Sequence, residues 1–472
     1  PLGLVSPAAF LAAEGFSPEC LDLAVEPVDE EKIRRASFIG ISVPMHTATR
    51  LGIQAARRIR RINPAVHICF YGLYASLNED YLLKTVADSV IGGEFETPLS
   101  GLVRRLAGNP GDGSAGISTG DKRDGPFLGR QQFLPPARHL LPPLSRYARL
   151  DDGERLRLVG AVEASRGCAH HCRHCPITPV YEGRVRIVQE ETVLRDIEAL
   201  AGLGAEHITF CDPDFLNGVD HSLRIVERMH ERLPALTFDF TAKIQHVLEY
   251  RGSLPALKEA GCVFIQSAVE SLNDRILGIL KKEHTRVDVL EALALTRGSG
   301  IALRPSLVSF TPWTSADDYL DVLNFVEREG LEEEVDPIQF AIRLLVPPGS
   351  ALLEISEWNG MLGPLDEENL CYPWKHPDER MDTLEKAVLT IVDVGTEDSK
   401  PPSEIISAIR SKACEILEIR PPVVSGRRRR EKRRRSPRLT ESWFCCAEPG
   451  DRQQKTIGEN TRIEKSSCCS SE

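Results

Sequence analysis

Cys168, Cys172 and Cys175 stand in the run VEASRGCAHHCRHCPITPVY as a CxxxCxxC triplet. Three thiolates so spaced on one loop can hold three irons of a [4Fe–4S] cube and leave the fourth without a protein ligand. An open iron can bind and reduce a small molecule, so the motif points to an enzyme and not merely to an electron carrier. Chance is a weak rival: with 13 Cys in 472 residues, one such triplet is expected in roughly one chain in a hundred. Zinc is the other reading, because His170, His171 and His174 are interleaved with the thiols and Cys plus His is a zinc-ligand mix. A structural zinc site usually splits its ligands into two distant pairs, and no matching second pair follows nearby, which favours the cluster.

The elements around the triplet say how it is positioned. Residues 1–106 alternate strand and helix signals: SFIGISV (37–43), TATRLGIQAARRIRRI (47–62), VHICFYG (66–72), EDYLLKTVA (79–87) and DSVIGGE (88–94). Such alternation predicts a doubly wound, Rossmann-like parallel sheet, with PLGLVSPAAFLAAEGF as its first loop and helix and its first strand absent. Residues 107–150 read as a linker, rich in Gly, Asp, Ser and Pro at first and then carrying apolar residues in LPPARHLLPPLSRY that should pack against something. From 151 to 348 the pattern becomes strand–helix six times. The strand candidates are LVGAVEAS, EHITFCD, TFDFTAK, VFIQSAVES, IALRPSLVSF and PIQFAIRLLV. Six βα units predict a partial (β/α)6 barrel, whose chemistry belongs at the carboxyl ends of its strands, and the triplet directly follows the first of them. Residues 349–420 read as a helical extension and 421–472 as a disordered, basic, Cys-containing tail.

Composition limits the partners. The net charge of −11 conceals a split, because the run 427–438 (RRRREKRRRSPR) carries +8 and the remainder about −19. A body that acidic is a poor general binder of nucleic acid. No run of about 18 apolar residues predicts a membrane span. Scattered cysteines in a chain this long do not read as a disulfide framework, and a reducing, cytoplasmic setting fits best.

The triplet after a first barrel strand resembles the radical S-adenosylmethionine (SAM) superfamily. The extended run CAHHCRHCPITPVYEGRVRIV resembles its branch with an amino-terminal cobalamin-binding-type domain. The resemblance implies that the open iron chelates the amino and carboxylate groups of SAM, that one electron cleaves a C–S bond to give a 5′-deoxyadenosyl radical, and that a reductant such as flavodoxin or ferredoxin is a partner. It places His174 where an aromatic residue commonly lies near the adenine. FCDPDF stands where many members carry Gly-Gly-Glu for the SAM amino group, so Asp212 and Asp214 are candidates for that contact, a helix-capping turn being the plainer reading. Lys243 is the candidate for the SAM carboxylate and Glu270 for the ribose. Arg304 and Ser306 on the fifth strand are further candidates, each against an ordinary structural ion pair or hydrogen bond. In the amino-terminal domain Gly92–Gly93 is the candidate nucleotide loop of a cobalamin site, although the Asp-x-His-x-x-Gly motif is absent and His46 has no Asp two residues before it.

Cys445–Cys446–Ala447–Glu448–Pro449 resembles the tail that names a narrow radical SAM family, CCAEP or CUAEP, where U is selenocysteine. The resemblance implies a reactive role for Cys446 and Cys445 on an arm that reaches the barrel mouth, as a sulfur nucleophile, a soft-metal or metalloid ligand, or a redox relay. The combined expectation is an enzyme that uses a [4Fe–4S] cluster and SAM, with cobalamin as a candidate second cofactor. Its unidentified small-molecule or peptide substrate would undergo methyl transfer or a sulfur- or selenium-related change. The alternative is a zinc- or metalloid-binding thiol protein without radical catalysis.

Overall fold

Buried apolar strands alternating with amphipathic helices build two sheets. The computed structural model describes residues 1–109, 115–419 and 436–441. The first sheet holds β1 (Phe38–Ser42), β2 (His67–Tyr71), β3 (Ser89–Ile91) and β4 (Ile117–Thr119) in that order. β1, β2 and β3 are mutually parallel, and β4 runs antiparallel to β3. β2 is buried at four of its five residues, as a central strand covered on both faces must be. The helix His46–Ile62 turns Thr49, Gly52, Ile53, Ala56 and Ile59 inward. A side chain at Gly52 would come within 3.1 Å of Ile41 and Val43, so glycine sets how closely this helix lies on the sheet.

The second sheet carries the cysteines. Its strands are β5 (Arg149–Asp151), β6 (Leu156–Val162), β9 (His207–Phe210), β10 (Thr237–Thr241), β11 (Cys262–Glu270), β12 (Ala302–Leu307) and β13 (Arg438–Leu439); β7 (Ser165–Gly167) and β8 (Val185–Ile187) form a separate hairpin. The order is β12-β11-β10-β9-β6-β5-β13. The run from β6 to β12 is parallel, and helices such as Glu190–Gly202, Val219–Arg232 and Arg286–Gly298 cover it. This curled half barrel is the α/β architecture expected. The largest apolar core joins its outer face to the helices Glu379–Glu397 and Pro402–Ile416.

Three segments depart from the sequence reading. The sixth expected strand, PIQFAIRLLV, forms a 3-10 turn at Pro337–Phe340 and a single parallel bridge, Phe310 to Arg343. Period-2 apolar runs of that kind do not separate strand from buried coil. The stretch read as linker supplies β4, and Phe127 bridges Gly93. Within the stretch read as a disordered tail, Arg438–Leu439 pairs antiparallel with β5, and Leu439 packs against the apolar cluster of Leu150, Val159 and Phe264.

The Pro-rich segment is held by one ion pair. Arg138 Nε and Nη2 reach the two oxygens of Asp196 at 2.8 and 2.7 Å, and Nη2 also donates to the Ala161 carbonyl in β6. Both side chains are buried. Removing one partner from such a pair strands the other charge, so Arg138→Ala should destabilise the fold by about 3–5 kcal/mol in urea unfolding. The double variant Arg138→Met, Asp196→Leu should recover most of that loss. Equal losses for the single and double variants would show that the pair does not anchor the segment.

Candidate active site

The cysteine loop begins where β7 ends. Gly167 has a φ of +74°, and a Cβ there would meet the Arg184 carbonyl oxygen at 2.2 Å, so the residue before Cys168 must be glycine. β8 pairs with β7 in register, Ser165 opposite Ile187 and Gly167 opposite Val185, and so returns the chain beside the loop. The loop is fastened along its length. Ala169 N donates to Asn217 Oδ1 at 3.2 Å, Arg173 N to the Leu280 carbonyl at 3.0 Å, and Thr178 Oγ1 to the Cys172 carbonyl at 2.9 Å. Cys168, Cys172 and Cys175 are all unbridged thiols, with Cys172 buried and the other two half-buried.

Behind the loop lies a buried ammonium. Lys282 is 2% exposed, and its Nζ is 3.3 Å from Glu270 Oε1. Burial works against its charge, but Glu270 and then Cys172 and Cys175 hold its pKa well above the usual value. Burial likewise works against the Glu270 carboxylate, yet Lys282 and the His174 hydrogen bond bring its pKa down to about 2. His174 Nε2 lies 3.2 Å from Glu270 Oε1, and its Nδ1 is buried without a partner. Glu270 reaches this position through a register shift between Ala268 and Glu270, and its φ is +66°. A bulge at a strand end and a left-handed non-glycine residue are features that collect at functional sites.

The other expected contacts have definite partners. Asp212 is buried, accepting from Ala164 N at 3.0 Å and Ser165 Oγ at 2.6 Å, and burial pushes its carboxyl up to about 7. Both its oxygens therefore clamp the corner between β6 and β7. Asp214 caps the turn Phe215–Gly218 through Leu216 N and accepts from Lys243 N at 3.1 Å. Lys243 Nζ pairs with Glu283 at 3.2 Å. Arg304 meets Asp336 and the Glu333 and Pro437 carbonyls, so it fastens β13 to the barrel instead of facing the cysteine loop. Ser306 donates to the Ser267 carbonyl at 3.4 Å.

Gly92 and Gly93 serve the chain itself. A Cβ on Gly92 would lie 1.9 Å from Ser76 Oγ, and one on Gly93 would lie 2.4 Å from the Phe127 carbonyl oxygen. Phe127 N donates to the Gly92 carbonyl, and Glu94 N to the Phe127 carbonyl. The closeness that suggested a nucleotide loop is met in this structure by residues 126–128. His46 is buried with Nε2 2.8 Å from the Asn369 carbonyl, and burial lowers its pKa to about 4. Among the described residues Gly92, Gly93 and His46 are thus engaged by the chain's own residues, and no step below is routed through cobalamin. Cys445 and Cys446 lie outside the described residues, as does the basic run up to Arg435.

Sequence reasoning missed Lys282, Glu283 and Arg166. Arg166, two residues before Cys168, is buried between the domains, donating to Glu96 at 2.7 and 3.0 Å, to Glu94 at 3.2 Å and to Glu163 at 2.8 Å. Its guanidinium lies over the rings of Phe95 and Phe133. Tyr181 donates to Glu94 and Ser6 to Glu96, so the amino-terminal domain grips both flanks of the cysteine loop. The charged run Lys281–His284 directly after the apolar helix Asp274–Leu280 was the available signal for Lys282 and Glu283.

The donor set fits a [4Fe–4S] cluster. Three thiols lie on one fastened loop, and a buried cation beside Cys172 and Cys175 would offset thiolate charge, whereas burial, with Asp214 and Cys172 adding to it, pushes the Cys168 thiol up. The partnerless Nδ1 of His174 beside that loop offers a buried polar contact for a bound SAM.

Comparisons with known proteins agree. Residues 162–312 match the radical SAM superfamily, and this stretch is a radical SAM domain. A tRNA-2-methylthio-N(6)-dimethylallyladenosine synthase of Chlorobaculum tepidum is 26% identical over 195 residues, 39% of this chain and 44% of its own length. An uncharacterized methyltransferase of Pyrococcus horikoshii is 25% identical over 321 residues, 65% of this chain and 66% of its own. The chain therefore spans less than two thirds of the length of either relative. The structure of OxsB, a cobalamin-dependent SAM radical enzyme with aqua-cobalamin bound, superposes with a TM-score of 0.70 at 16% identity, covering 88% of this chain and 70% of that one. At that identity the likeness is one of fold, and it extends beyond the barrel to most of the chain. A radical SAM domain implies a [4Fe–4S] cluster and SAM as cofactors. Among the described residues no helix is long and apolar enough to cross a membrane.

The Glu270–Lys282 pair gives a pH test. A carboxyl held at about 2 when folded, against about 4.3 unfolded, contributes stability that is complete above about pH 4.3 and lost as pH falls toward 2. In the metal-free protein, Glu270→Gln should cost about 3 kcal/mol at pH 7 by leaving the ammonium unpaired. The gap between wild type and variant in urea unfolding should narrow between pH 4 and pH 2. A gap that stays constant across that window would show that the pair does not form.

Proposed function

We propose that this chain is a radical SAM enzyme, of the kind with the CCAEP or CUAEP tail, that generates a 5′-deoxyadenosyl radical to modify a small-molecule or peptide substrate. The observation that carries the reading is the CxxxCxxC triplet of Cys168, Cys172 and Cys175 on one fastened loop, with the buried Lys282 ammonium close to Cys172 and Cys175, within a radical SAM domain. When bound, the cluster and SAM supply one-electron cleavage of a C–S bond. The chain's own part is positional. The cysteines would hold three irons, Lys282 would offset their negative charge, and Glu270 fixes the His174 ring, whose unpartnered Nδ1 would be available to SAM. Asp212 keeps the β6–β7 corner rigid beneath the loop.

For the outcome on the substrate we favour a sulfur- or selenium-related transformation in which the tail takes part. β13 is antiparallel to β5, and β5 to β6, so β13 runs with the parallel strands and directs the chain toward their carboxyl ends. Cys445 follows Leu439 by six residues, up to about 20 Å of extended chain. Leu439 is level with Leu150 and, through it, Arg157, five residues before the end of β6 at Val162. That reach is enough to bring Cys445 and Cys446 to the level of the cysteine loop. A flavodoxin or ferredoxin would supply the electron.

Anaerobic reconstitution with iron and sulfide should give a brown protein that forms 5′-deoxyadenosine from SAM under a chemical reductant. Cys175→Ala should lose essentially all of this product. Cys446→Ala should keep SAM cleavage and lose substrate conversion, and a parallel reaction with added cobalamin should yield no methylated product. A colourless protein that holds zinc at the cysteines and leaves SAM intact would overturn the reading.

A further inference from the structure

A second set of ligand-type side chains stands beside the cysteine loop and has no part in the scheme above. His170 lies on that loop, between Cys168 and Cys172; Asp214 follows β9; and His246 lies on the short helix Ile244–Glu249 that follows β10. Their donor atoms all lie within 4.8 Å of one another. We propose that His170, Asp214 and His246 form a mononuclear site for a divalent cation of the zinc class, distinct from the iron–sulfur centre.

Four observations support it. The first is spacing: one donor atom from each residue lies within 4.8 Å of the others, with His170 Nε2 3.9 Å from Asp214 Oδ2. Donors around a tetrahedral zinc with bonds of 2.0–2.1 Å stand about 3.4 Å apart. The second is orientation. His246 Nδ1 is buried without a hydrogen-bond partner although it stands 2.9 Å from Asp214 Oδ2, a nitrogen left over for a shared cation. The third is the tautomer at His170, whose Nδ1 lies 3.3 Å from Glu283 Oε2. A carboxylate on one ring nitrogen fixes the proton there and leaves Nε2 as the lone pair, the usual arrangement of a metal-bound histidine. Lys243 holds that Glu283, and Glu283 itself has a φ of +62°. The fourth is rigidity with burial. Asp214 is 0% exposed and fixed through Leu216 N and Lys243 N, and His246 packs on Tyr250.

Two imidazoles and one carboxylate suit zinc, and also Fe²⁺ or Co²⁺, better than calcium or magnesium. Three protein donors leave a coordination position for an exogenous ligand. The fitting ligand class is a thiolate or oxyanion of the substrate, which the metal would hold next to the cluster loop.

The test separates this site from the cysteines. A full-length variant with Cys168, Cys172 and Cys175 changed to Ser cannot hold the cluster, and it is titrated anaerobically with Co²⁺ and Zn²⁺. The proposal expects about one equivalent bound, with visible d–d absorption and no thiolate-to-cobalt charge-transfer band. Adding His246→Gln, or separately His170→Gln, should weaken binding by at least about tenfold while urea unfolding of the metal-free protein stays close to that of its parent. Wild-type protein reconstituted with iron and sulfide in the presence of zinc should hold four irons plus one zinc, and the His246→Gln form four irons alone. Absence of binding in the cysteine-free variant, a thiolate charge-transfer band, or affinity unchanged by both histidine substitutions would overturn the proposal.

Discussion

A buried ammonium is the constraint on which the active end of this barrel depends. Lys282 is enclosed with Glu270 on one side and Cys172 and Cys175 on the other. An unpaired charge in that position would cost several kcal/mol, so the carboxylate and the thiol loop are bound to it energetically as well as geometrically. Glu270 in turn fixes His174, the residue immediately before the last cysteine. The backbone bears the cost of this arrangement. Glu270, Lys281 and Glu283 all have positive φ, and the Lys281–His284 turn is shaped to send Lys282 to the cysteines and Glu283 to His170 and Lys243.

The same loop is governed from the other domain. Arg166 precedes Cys168 by two residues and is buried among Glu94, Glu96 and Glu163. Burial pushes the Glu94 carboxyl up, whereas at Glu96 burial is outweighed by Arg166 and the carboxyl stays below its ordinary value. One guanidinium therefore ties β7 to the carboxyl end of the first sheet, and Tyr181 repeats the tie on the far side of the loop. The amino-terminal domain thus packs directly on both flanks of the cysteine loop, within a fold likeness to OxsB that covers 88% of the chain.

What could be read from sequence follows the range of the interaction concerned. The cysteine spacing, the first five barrel strands and the helices between them are local patterns, and each appears where its periodicity placed it. His174 and Glu270 were singled out separately, yet their contact spans 96 positions and depends on a bulge that no residue type announces. Asp212 was correctly placed at a strand end, but its two oxygens are taken by Ala164 and Ser165, a choice decided by packing. Gly92–Gly93 shows how far a glycine pair can be read. A glycine pair marks close approach of something to the backbone, and here the approaching group is Phe127 of the same chain. Arg438–Leu439 was hidden because two residues next to a basic run carry too little apolar pattern to reveal a strand.

The central claim is that the three cysteines hold a cluster whose fourth iron is open to SAM. Electron paramagnetic resonance of the reconstituted, reduced protein tests this most directly. The account predicts a [4Fe–4S]⁺ signal that shifts when SAM is added and that shows hyperfine coupling to ¹⁵N in the methionyl amino group of labelled SAM. A cluster signal that SAM leaves unchanged, with no coupling to the label, would contradict it.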